Sequence, residues 1–120
     1  MSRIQSRENA FKIIYSKLYV ADEQISPIEE IDDFCTELVS AFTNNFEAIK
    51  QKVTTNLKGT TLDRVYKIDL ALIYEAVAEI FYVKGSEYKV VINEVVELAK
   101  KYSTERSPSF INGFLAGLVK

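Results

Sequence analysis

The stretch Tyr88–Leu115, YKVVINEVVELAKKYSTERSPSFINGFL, decides the fold of this 120-residue chain. From Lys89 to Lys101 apolar residues return every three or four positions, the pattern of a helix with one buried face. A polar break follows, and Ser107 with Pro108 at the first helical position opens another helix. Val91, Val95, Leu98, Phe114 and Leu118 are expected in the core. Lys101, Arg106 and Ser107 are expected to face a ligand, and Phe110 is claimed by both roles. Asn93 is expected to be buried and bonded to a neighbouring backbone group, because an unpaired buried amide costs roughly 1–3 kcal/mol.

Outward from this stretch the pattern stays helical. Helix four is expected over Lys67–Val83, apolar nearly all round and therefore central, with Asp69, Glu75 and Glu79 its only acids. Lys84-Gly85-Ser86 stops it. Helix one is expected over residues 3–20, with Ile4, Phe11, Ile14, Tyr15 and Leu18 in one stripe, Arg3, Arg7 and Lys17 beside it, and Lys12 facing away. Ser26-Pro27-Ile28-Glu29 has the form of a capping box, so helix two is expected to run from there to about Phe42, with Ile28, Ile31, Phe34, Cys35, Leu38, Val39 and Phe42 inward. Helix three follows from Phe46 through Leu57 and ends at Lys58-Gly59-Thr60-Thr61. No repeat or hairpin signal interrupts this. The expectation is one all-α domain over residues 1–120, a compact bundle of about six to seven helices.

Composition narrows the class. Hydrophobic content of 48% with 27% charged residues is a globular balance rather than a disordered one. No apolar run reaches the ~20 residues that span a bilayer, and no signal-peptide core opens the chain, so a cytoplasmic protein is expected. The single cysteine, Cys35, falls on an apolar helical face and reads as a small buried hydrophobe. The net charge of −2 argues against gripping nucleic acid by bulk charge alone. The charge is uneven, however. Residues 1–20 carry Arg3, Arg7, Lys12 and Lys17 against Glu8, whereas residues 21–50 carry eight acids against Lys50. An acidic middle can hide a basic surface elsewhere.

The chemistry excluded is broad. Without histidine the chain lacks the commonest general base and metal ligand. Cys35 has no partner for a metal set, phosphate-binding glycine loops are absent, and the adjacent pairs Glu29-Glu30 and Asp32-Asp33 point apart on a helix. A binding protein is expected rather than an enzyme, with no cofactor and no metal. Two places bring cations and rings together: Arg3 and Arg7 with Tyr15, and the turn Lys100–Ser107 leading to Phe110. Cations on phosphates with flat rings on bases are what single-stranded RNA needs.

These residues also carry a resemblance. Tyr88–Leu115 is similar to the carboxy-terminal signature of the NusB family of transcription antitermination factors, close to YKVAINEAVELAKKFGTEKSPKFVNGVL. Leu62-Asp63-Arg64 followed by KIDLALIYEAVAEIFY resembles that family's LDR…VDRAILRLAVYELLY, and Arg7-Glu8-Asn9-Ala10 through Leu18-Tyr19 resembles its RExAxxALY helix. The match is weakest over residues 21–60. The resemblance implies an all-α fold of two helical subdomains at right angles. It also implies binding of boxA-type RNA with the ribosomal protein NusE, in an antitermination complex with RNA polymerase, notably in ribosomal RNA operons. By position it implies RNA contacts at Arg3, Arg7, Tyr15 and Phe110, and partner contacts at Tyr15, Asp69 and Tyr74. It leaves a homodimer open. Two other readings stand beside it: an interaction or dimerisation module with weakened RNA binding, and an RNA-docking domain of a methyltransferase.

The chain departs from the pattern in places. The family's amino-terminal arginines are thinned to Arg3 and Arg7, and Leu70 and Tyr74 stand where the second motif has arginines. Ala116 replaces an aspartate. Ser103 replaces a glycine, so a left-handed helix end there would cost roughly 1 kcal/mol.

Overall fold

Six α-helices and one short 3-10 turn form the described part of the computed structural model, residues 2–19, 28 and 30–120. They are α1 (Arg3–Leu18), α2 (Asp33–Asn44), α3 (Phe46–Asn56), the turn Leu62–Arg64, α4 (Lys67–Tyr82), α5 (Tyr88–Tyr102) and α6 (Ser107–Leu118). The described residues contain no strand. None of their helices is long and apolar enough to cross a membrane.

Helix α4 is the axis. It touches each of the other five helices, and Ile68 to Glu79 is buried without interruption. A helix apolar on every side can only be stable inside such a ring. Phe11, Ile14, Phe42, Ile49, Val53, Val91, Val95, Ile111 and Leu115 pack with its residues in one core. A smaller cluster of Ala10, Cys35, Leu38 and Val83 seals the side where α1 meets α2. Gly59 and Gly85 follow α3 and α4 with φ of 76° and 87°, a region that L side chains avoid. The helices themselves end in extended conformation at Leu57 and Val83, and the turns that follow depend on these glycines.

Several expectations are corrected. The capping box at Ser26-Pro27-Ile28-Glu29 lies mostly outside the described residues, and the described Ile28, Glu30, Ile31 and Asp32 are not helical. Instead α2 starts at Asp33, where the Asp32 side chain accepts from the Cys35 amide at 3.0 Å. Ile31 and Ile4, expected inward, are more than half exposed. Lys12, expected outward, is nearly covered and lies over the Tyr102 ring. Asn93 is exposed rather than buried. Ser103 avoids the left-handed region altogether: it ends α5 in an extended conformation, at φ −114° and ψ −157°.

Candidate nucleic-acid interface

The turn between α5 and α6 is built on side-chain oxygens. Ser107 Oγ lies 2.8 Å from the hydroxyls of both Ser103 and Thr104 and accepts from the Thr104 amide at 3.2 Å. The Ser103 hydroxyl donates to the Asp69 carboxylate, tying the turn to the first turn of α4. This explains why the chain closes the turn without glycine, since hydroxyl bonds hold an extended exit where a left-handed one was expected. Ser107 is 1% exposed and Asp69 5%. Both frame the turn and offer little side chain to solvent.

On the outside of this frame stand Lys101, Arg106 and Phe110. Arg106 is exposed at the position before α6, and its carbonyl accepts from the Phe110 amide at 3.1 Å. Phe110 is half-buried, with one side packed on the core. Its other side lines a groove of about 360 Å³ together with Asn56, Lys58 and Phe114. Phe110 thus packs on the core with one side and lines the groove with the other. Lys101 bonds Glu8 across the α1–α5 contact at 2.8 Å, and the Tyr102 hydroxyl donates to the same carboxylate oxygen. Burial alone would raise the Glu8 carboxyl, but these two bonds and the nearby lysine charges hold it below the usual range. The bond to Glu8 raises Lys101 in turn. Lys101 remains largely exposed, so it can keep Glu8 while meeting a phosphate.

The remaining expected contacts divide by burial. Arg3 is exposed, its guanidinium 4.1 Å from the centre of the Phe34 ring. Arg7 is turned inward. At 4% exposure it grips Glu79 through Nε at 2.9 and 3.0 Å and through one terminal nitrogen at 2.8 Å. Burial alone would lower Arg7, but Glu79, Glu75 and Glu94 outweigh it and raise the group above its ordinary value. Tyr15 and Tyr74 are 3% and 2% exposed. Tyr15 packs against Phe11 and Tyr19, and Tyr74 lies between Phe42 and Phe46. Burial pushes the Tyr74 hydroxyl up to about 12. Arg7, Tyr15, Ser107, Asp69 and Tyr74 are thus buried residues that offer little side chain at the surface of this structure. Asn56 and Lys58 line the groove beside Phe110. They lie more than fifty residues before Phe110, and no local pattern marks them.

The NusB family model matches residues 4–120. The chain belongs to the NusB family. The transcription antitermination protein NusB of Finegoldia magna is 40% identical over 130 residues, spanning all of this chain and 95% of that protein. Its counterpart from Clostridium novyi is 34% identical over 133 residues, spanning all of this chain and 99% of that protein. A solved NusB structure from T. maritima superposes with a TM-score of 0.82 at 26% identity, covering 98% of this chain and 90% of the other. The same fold occurs in a complex of the antitermination factors NusB and NusE with double-stranded RNA, at a TM-score of 0.79 and 24% identity, covering 98% and 97%. The family match therefore runs over residues 4–120, across the weakly matching residues 21–60.

Proposed function

We propose that this chain is a transcription antitermination factor that binds boxA-type RNA jointly with the ribosomal protein NusE, within the complex that modifies RNA polymerase. Membership of the NusB family, whose relatives carry that function in their names, supports the class. The observation that carries the RNA reading is the groove at Phe110, where a half-exposed ring, an amide and the Lys58 ammonium share one mouth. A base stacks on the ring, an amide edge reads it, and the cations Lys58, Lys101 and Arg106 hold the flanking phosphates. Arg3 extends the cationic surface from α1.

Joint binding answers the charge problem. A chain of net charge −2 neutralises few phosphates by itself, whereas a basic partner shares that task. The protein is a binder rather than an enzyme, and its work is to hold RNA and partner in register in the cytoplasm. The test is a titration of a boxA-containing RNA at fixed salt, with and without NusE. Specific binding that tightens when NusE is added is expected. Loss of specificity in both arms would overturn the reading and leave an interaction or dimerisation module.

A further inference from the structure

The α1–α4 contact contains one more buried acid than it has cations. Glu75 and Glu79 lie one turn apart on α4, both fully buried, and Arg7 of α1 is the cation they share. Arg7 forks onto Glu79, and the Ser86 hydroxyl donates to Glu79 at 2.6 Å. No donor group reaches either carboxyl oxygen of Glu75; the polar group it faces is the Glu79 carboxylate, itself an acceptor. An ionised carboxylate that is buried and unbonded is among the costliest arrangements in a protein interior. A proton removes the charge and turns Glu75 into a donor facing Glu79.

We propose that Glu75, Glu79 and Arg7 form a one-proton latch, in which the proton carried by Glu75 keeps α1 seated on α4 and its loss as pH rises releases α1. The other groups nearby do not supply a substitute counter-charge. Cys35 of α2 is a thiol pushed up to about 11 by burial and by the charges of Asp32 and Glu75, so it stays neutral. Glu94 of α5 acts on Arg7 and adds negative charge. Burial, then the charge of Glu79, holds the Glu75 carboxyl well above its ordinary value, against the weaker pull of Arg7. With the folded value raised, the stability the protonated carboxyl contributes is fully present below the ordinary value near 4.5 and is lost as pH climbs through the folded value, where the proton itself leaves.

Two measurements on the full chain test this. In the first, unfolding is followed against pH for the wild type and E75Q, whose amide keeps a neutral donor at the same place. The wild-type folded-to-unfolded ratio should fall relative to E75Q by up to about tenfold per pH unit above pH ~4.5; parallel curves overturn the proposal. In the second, which needs no variant, carbon-13 carboxyl signals of labelled glutamate and amide exchange are followed together in the wild type. One glutamate signal should titrate well above the ordinary 4.5, and α1 amides should lose protection, ahead of α5 and α6, over the interval in which that signal shifts. Three results each overturn the latch: every glutamate titrating in the ordinary range, a raised titration without α1 release, or all helices opening together.

Discussion

Phe110 and Arg7 exchange the roles that their types suggest. The aromatic faces the groove, and the arginine anchors the interior. Phe110→Ala is expected to weaken RNA binding by the value of one stacked base, about 1–3 kcal/mol, while helical circular dichroism persists. A titration with the melting curve recorded alongside decides between contact and core. Arg7→Ala is expected to act on the fold instead. Removing one partner of a buried pair costs about 3–5 kcal/mol, which denaturant unfolding reads directly. Arg106→Ala should leave stability unchanged and lower the dependence of log affinity on log salt by roughly one unit. These residues also mark how far a sequence can be read. Arg7 was legible as important, since a cation beside an apolar stripe needs a reason. Its partner Glu79 lies 72 residues away, and only the packing of α1 on α4 joins them. Lys58 was hidden for the same reason: local periodicity says nothing of which loop a distant helix approaches.

At the level of elements, the turn between α5 and α6 depends on hydroxyls. Ser103→Gly restores the residue that the family pattern has there, yet it removes the donor to Asp69. That leaves a nearly buried carboxylate short of a partner, so a loss of about 1–3 kcal/mol is expected in a denaturation experiment despite glycine's freedom to turn. Helices with a strong apolar rhythm were readable almost to the residue. Both α5 and the start of α6 fall where spacing and Pro108 put them, and α4 is central because it is apolar nearly all round. The start of α2 was not readable. Ser26-Pro27 and Asp32 are both good caps, and the described backbone at Ile28, Glu30 and Ile31 shows that the aspartate sets the helix start. Two valid local signals compete there, and local chemistry does not rank them.

For the molecule as a whole, pH acts from both sides. Glu8 and Asp32 have folded values below their ordinary 4.5 and 3.8. The stability they contribute is present above those values and is lost as pH falls through the lowered ones. Glu75 has the opposite sign. Thermal melts between pH 3 and 9 should therefore pass through a maximum. Glu8→Gln should flatten the acid limb and leave the alkaline limb in place. The family and the bundle were visible in the sequence because they depend on spacing repeated along the entire chain. The balance of buried charge was not, since it depends on which acids end up facing one arginine.

The separation of Arg7 from Glu79 also has a consequence in time. A ribosome adds about 5–20 residues each second, so the 72 residues between them take roughly 4–14 seconds to make. Until then the nascent chain carries Phe11, Ile14 and Tyr15 with no α4 to cover them. For those seconds the newborn protein presents a sticky, cationic leading segment, open to chaperones and to neighbouring chains. Its birth is then limited by the arrival of its central helix rather than by the completion of its first.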